Sequence, residues 1–270
     1  MTEDDTAAPS PHPPLRLGED RGEGQTSTPE PAAASRPLSP SGEREERDLR
    51  SYGRRRRRKP SPRQAALLHD VLPRVVVDLS RPPPARLGEL FTPPIGEVWL
   101  EIGFGGAEHL LWQARHNPSV GLIGCEPFED GVVKALSAIE QEKLANIRIY
   151  ADDARPLLRW LPAASIGRAF ILFPDPWPKK RHQKRRLVSV ATLDQLARAM
   201  RPGGELRIAT DIGDYARWIL SAVREQQGFR WLASRPADWR ERGPDWPATR
   251  YEQKARAAGR KCTYFRFRRA

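Results

Sequence analysis

Two regimes of hydrophobic patterning divide the chain. From residue 98 onward, short continuous apolar runs alternate with longer stretches in which apolar positions recur every three to four residues. The runs at 98–102, 120–125, 147–150, 168–173 and 206–210 predict five strands. The stretches at 107–116, 128–143, 154–161, 187–200 and 215–225 predict the helices between them, and 229–233 and 263–267 are candidate closing strands. Ahead of this rhythm, 64–72 reads as one short helix broken at Pro73, followed by an extended piece at 75–79. Strands alternating with helices build right-handed βαβ units around a mainly parallel sheet. The expected class is therefore α/β, with helices on both faces. In such sheets ligands sit beyond the carboxyl ends of the strands, and the polar residues of interest do fall there.

The first fifty residues have no such pattern. They hold eight of the 27 prolines and almost no large apolar side chains. That stretch cannot bury enough surface to offset its ordering entropy, so residues 1–50 are expected to form a disordered acidic tail ahead of a single domain over 51–270. The charge divides at the same place. Six Arg face eleven Asp and Glu in the tail, a net of −5, which leaves +17 on the rest of a chain whose total is +12. A folded part so basic points to a polyanionic partner. The run from Arg54 to Lys59 is equally a solvated linker block or a direct RNA contact. Cys125 and Cys262 stand alone, with no metal-ligand spacing, so neither a disulfide framework nor a metal is expected. No apolar run is long enough to span a membrane and the N-terminus is unlike a targeting peptide, so a cytoplasmic location is expected.

The first strand ends in Glu101-Ile102-Gly103-Phe104-Gly105-Gly106-Ala107. Such a turn lets backbone approach a ligand closely, with a helix N-terminus behind it. Glu108 stands where dinucleotide-binding proteins carry a third glycine, which disfavours a pyrophosphate and favours S-adenosylmethionine. Glu126, about twenty residues on, could grip both ribose hydroxyls. Asp153 could read an adenine amine or simply cap the helix that follows.

The fourth strand runs into Phe173-Pro174-Asp175-Pro176-Trp177-Pro178, after which six cations occur within the eight residues 179–186. Those cations could neutralise phosphates, and Asp175 could accept hydrogen bonds from a base edge. Trp177 could stack on a base or anchor its own loop.

The 173–187 segment closely resembles the hallmark loop of the bacterial tRNA (guanine-N7)-methyltransferase family. The resemblance extends from about residue 51 to 267, supported by Leu100–Gly105, by Ala209-Thr210-Asp211 and by Thr249-Arg250-Tyr251-Glu252. It implies a Rossmann-like class I methyltransferase fold, with a seven-stranded sheet whose last strand is antiparallel. It implies that Glu101, Gly103, Gly105, Glu126, Asp153 and Asp175 form the S-adenosylmethionine pocket, with Asp175 also catalytic. Lys179, Asp211, Thr249, Arg250, Tyr251 and Glu252 would meet the guanine, and Arg181, Lys184, Arg185 and Arg186 the tRNA. The family's usual target is the variable-loop guanine, nucleotide 46 in standard tRNA numbering. Ala107 and Glu108 depart from relatives that carry a further glycine there. Rival readings are a methyltransferase for another nucleophile, a non-catalytic RNA-binding protein and, third, a dehydrogenase; retained cofactor carboxylates and the basic excess weigh against them.

Overall fold

The structure, a computed structural model, describes residues 59–270. The expected tail and all of the basic run before Lys59 lie outside the described residues.

Seven strands form one sheet: β1 (Glu97–Ile102), β2 (Val120–Cys125), β3 (Ile147–Tyr150), β4 (Ile166–Leu172), β5 (Met200–Thr210), β6 (Phe229–Trp231) and β7 (Thr263–Arg269). Their order is β3-β2-β1-β4-β5-β7-β6, parallel from β3 to β5, with β7 antiparallel to both of its neighbours. The α/β class, the seven strands and the antiparallel last strand are as expected.

The helices between strands are α3 (Glu108–His116), α4 (Glu129–Glu142), α5 (Ala154–Trp160), α6 (Val190–Ala199) and α7 (Gly213–Gln226). Alternation along the strands sorts the core into two layers. Val98, Leu100 and Ile102 of β1 face α5, α6 and α7, while Trp99 faces α3 and α4. Central strands are covered on both sides, which is why they read as unbroken apolar runs; all six residues of β2 are buried. Side chains such as Leu100 and Ile123 are wholly inaccessible, each contributing about 2–3 kcal/mol.

Three local differences from the sequence reading have physical causes. Before the sheet, α1 (Pro62–Ala66), a π turn (Leu67–Val71) and α2 (Leu72–Val75) form one helical run that continues past Pro73. Pro73 falls where the π turn gives way to α2, the wider turn ending in a Leu72 N–H bond to Leu67 O. Extended chain begins only at Val76, beside β3, with Val77 N donating to Ile149 O at 2.9 Å. β5 begins at Met200, ahead of the apolar run at 206–210, and Pro202-Gly203-Gly204 forms a bulge inside it, since the register jumps between the Ile166–Met200 and Arg168–Glu205 pairs and Gly203 has φ +79°. Two helices have no counterpart in the apolar pattern: α8 (Ala237–Arg240) and α9 (Arg250–Ala257).

No helix among the described residues is long and apolar enough to cross a membrane.

Candidate active site

A cavity of about 660 Å³ opens at the carboxyl ends of β1, β2 and β4, where the sheet order reverses. Its floor is the turn after β1, in which Gly103 and Gly105 take φ values of +75° and +54°. These are left-handed conformations that favour glycine. Glu126, at the end of β2, holds this turn: its Oε2 accepts the Gly105 N–H at 2.8 Å and its Oε1 accepts the Phe128 N–H at 2.9 Å. Burial pushes the Glu126 pKa up, with Asp175 and Glu101 adding repulsion against the two backbone donors.

Asp153 does both things open to it. It lines the cavity and caps α5, accepting from Arg155 N at 2.9 Å while its other oxygen meets Arg155 Nη1 at 2.7 Å. Asp175 faces the cavity from the loop after β4; the residue stays exposed to solvent, and partial desolvation by the protein around it raises its pKa. That loop is held in unusual geometry, with Phe173 and Trp177 at φ +53° and +41°. Trp177 lines the cavity and is also anchored: the Arg185 guanidinium lies 5.0 Å from its ring centroid, with His182 edge-on at 5.9 Å. Cys125 reaches the wall too, but burial, then the nearby carboxylates, push its thiol well up, and Sγ donates to Asp152 O at 3.1 Å. It is not poised as a thiolate nucleophile.

The fourth wall comes from α9. Thr249 caps it, accepting from Glu252 N at 3.2 Å, so the next residues, Arg250 and Tyr251, project over the glycine turn. The Tyr251 ring packs against Gly105, and Arg250 lies across Gly106 and pairs with Glu108. The residue that replaces the third glycine thus clamps α9 to the turn. Lys254 continues the same wall.

Several expected site residues lie elsewhere. Glu101 is 2% exposed and is not among the residues lining the cavity, its Oε2 2.7 Å from His109 Nδ1. Glu252 is buried under α9 between Arg242 and Arg256, each at 3.1 Å, and Thr249 is buried as the cap. Asp211 is tied to Arg260 at 2.6 Å and does not line the cavity. Lys179, Arg181 and Lys184 are exposed around a short 3-10 helix, Lys180–Arg185. Arg186, expected to touch tRNA, is instead a structural residue. It is buried, donates to Pro176 O at 2.9 Å, pairs with Asp214, and lies over the Tyr215 and Trp218 rings. Gly131 of α4 also lines the cavity and was not anticipated; a Cβ there would fall 2.2 Å from Gly105 O.

Comparison with known proteins agrees with this geometry. Residues 96–265 match a family described as "Putative methyltransferase". A tRNA (guanine-N(7)-)-methyltransferase of Rhizobium meliloti (strain 1021) is 48% identical over 219 residues, covering 81% of this chain and 94% of that protein. The protein of the same name from Chelativorans sp. (strain BNC1) is 49% identical over 216 residues, covering 80% and 93%. Among solved structures, the 16S rRNA methyltransferase KamB superposes with a TM-score of 0.51 at 17% identity, over 68% of this chain and 93% of that one, a likeness of fold. With a matched model across most of the domain and near-half identity over four-fifths of its length, the chain belongs to the tRNA (guanine-N7)-methyltransferase family.

Proposed function

We propose that this chain transfers a methyl group from S-adenosylmethionine to N7 of a guanine in tRNA, nucleotide 46 of the variable loop in standard numbering. The observation that carries this reading is the 48–49% identity to relatives bearing that activity in their names. The cavity supports it by its charge, its lining carrying both carboxylates, at Glu126, Asp153 and Asp175, and cations, at Arg185, Arg250 and Lys254.

The residues present fit the cofactor. Each Glu126 oxygen accepts one backbone N–H, and a carboxylate oxygen has about two acceptor sites. One site per oxygen therefore remains for a pair of ribose hydroxyls. The glycine turn and Asp153 complete the pocket, while the buried Glu101 pairs with His109. When bound, S-adenosylmethionine supplies an electrophilic methyl group on a positively charged sulfur.

Guanine N7 presents an in-plane lone pair and bears no proton, so its attack needs no general base. The chain's task is to hold the base edge-on, exclude water and favour the positive charge that develops on the purine. Of the two candidate carboxylates, Asp175 is the one assigned to accept from the base edge and stabilise that charge; its place in the cavity lining supports this, whereas Asp211 pairs with Arg260 and is not among the lining residues. Arg250 and Tyr251 confine the base from α9, and the exposed cations of 179–185 meet phosphates.

The test is methyl transfer from labelled S-adenosylmethionine to unmodified tRNA transcripts with and without the variable-loop guanine. Label that depends on this guanine, with borohydride and aniline cleavage there, is the expected result. Cofactor binding without label in any tRNA would overturn the assignment of substrate.

A further inference from the structure

The C-terminal strand carries an alternation that the cavity does not use: Tyr264-Phe265-Arg266-Phe267-Arg268. Phe265 and Phe267 enter the core, so Tyr264, Arg266 and Arg268 share the opposite face of β7. Tyr264 lies beneath α9, its hydroxyl 3.3 Å from Arg256 Nη2. From there the strand runs away from the cavity end of the sheet, because it is antiparallel to β5. Arg268 comes about 13 Å beyond Tyr264, at ~3.3 Å per residue.

At the far end, Arg268 is in direct register with Arg230 of the edge strand β6. Like charges directly opposite one another on a sheet destabilise it. Both side chains are exposed, and neither has an ion pair or side-chain hydrogen bond among the described residues. The nearest carboxylate in the row, Glu205, is already taken by Arg207 at 2.8 Å and Arg266 at 2.7 Å. Lys254, Arg256, Arg266, Arg268 and Arg230 thus follow one another from the cavity wall to the sheet edge, and the last two lack a counterion among the described residues.

We propose that this face of β7, ending in the Arg268–Arg230 pair, is a second phosphate-binding track that holds the backbone of the same tRNA whose guanine enters the cavity. The inference rests on the tRNA reading above. Its occupant is a polyanion because two opposed guanidinium groups are relieved by phosphate oxygens, which each fork can meet with two hydrogen bonds. Such contacts fix the position of the RNA and carry no base specificity.

The test is the salt dependence of binding to an unmodified tRNA transcript, comparing wild type with Arg230→Gln/Arg268→Gln. Losing two phosphate contacts makes the slope of log K against log salt shallower by about 1.8, at ~0.9 per contact. KM for tRNA rises roughly fivefold or more, kcat stays within about twofold, and the affinity for S-adenosylhomocysteine is unchanged. The charge-preserving Arg230→Lys/Arg268→Lys variant keeps the wild-type slope and separates charge from any loss of folding. An unaltered slope in the Gln variant, or a slope lost equally in the Lys variant, overturns the track. An unaltered slope together with self-association of the Gln variant would mean that the arginines only guard the sheet edge. A wild-type protein that shows neither salt-dependent tRNA binding nor methyl transfer to tRNA would instead remove the tRNA reading itself.

Discussion

Gly131→Ala tests how closely the cofactor floor depends on the helix packed behind it. Gly131 is buried in the first turn of α4, and an added Cβ would lie 2.2 Å from Gly105 O, where ordinary contact begins at 3.4 Å. The atom in the way is backbone, so the conflict cannot be resolved by turning a side chain. Gly105, at φ +54°, belongs to the more pliable element, and the turn must retreat by ~1.2 Å. That displacement is large against the 2.8 Å hydrogen bond from Gly105 N to Glu126. It moves both the floor and the carboxylate that would hold the ribose. Overpacking costs about 1–3 kcal/mol, partly offset by the ~1 kcal/mol that alanine gains over glycine in a helix. The melting temperature should therefore fall by only a few degrees. Losing hydrogen bonds to the ionised Glu126 costs about 1.5–3 kcal/mol, so affinity for S-adenosylhomocysteine, measured by titration calorimetry, should fall roughly 10- to 100-fold. A folded variant that binds within threefold of wild type would refute the reasoning.

Three further outcomes follow from the same geometry. Asp175→Ala should lower kcat by about 100-fold or more; unchanged turnover with cofactor binding intact would exclude it from the reaction. Glu126 and Asp175 both titrate above their ordinary values of 4.5 and 3.8. Their raised values mean that folding penalises ionisation, so the unliganded fold is relieved as pH falls through them and the penalty returns as pH rises. Ligand binding has the opposite sign, because it needs the ionised carboxylates. The melting-temperature increase given by S-adenosylhomocysteine should accordingly shrink between pH 7 and pH 5, and a constant increase would contradict the assigned contacts. Glu252→Gln leaves Arg242 and Arg256 facing a neutral buried group, costing about 2–3 kcal/mol. Calorimetry should show a melting temperature lower by roughly 4–10 degrees, with KM for tRNA raised; a shift under two degrees would show that the buried carboxylate does not hold α9.

The sheet was legible because each central strand is covered on both faces and so reads as a continuous apolar run. The glycine turn, Glu126 and Asp153 were legible because strand ends in this fold are where ligands bind. α9 was not, because only Glu252 and Ala255 of its eight residues are buried, leaving no apolar stripe to announce a helix. For the same reason, the sequence could not tell Thr249 and Glu252, which build the helix start, from Arg250 and Tyr251, which face the cavity. Arg186 sits among five other cations that look identical in sequence. Only its distant partners, Asp214, Tyr215 and Trp218, single it out as structural. Gly131 did leave a signal, a glycine inside a helical pattern, but its cause is a backbone approach from a turn 26 positions earlier.

The distribution of charge across the site also bears on turnover. Under the proposed reaction the guanine enters neutral and leaves as a cation, so any carboxylate that favours the transition state also favours the bound product. Asp175 is one such group, and if the cavity were acidic throughout, product would be held. Arg185, Arg250 and Lys254 line it as well. In the proposed reaction these cations would attract the phosphates that flank the target and repel the newly cationic base. The side chains that would gather substrate through its backbone would thus weaken the hold on its methylated form. Neutralising Lys254 should then raise KM for tRNA while slowing product release, so a burst of methylated tRNA should precede the steady state. Absence of a burst in Lys254→Gln, with KM raised, would leave this wall a role in gathering substrate alone.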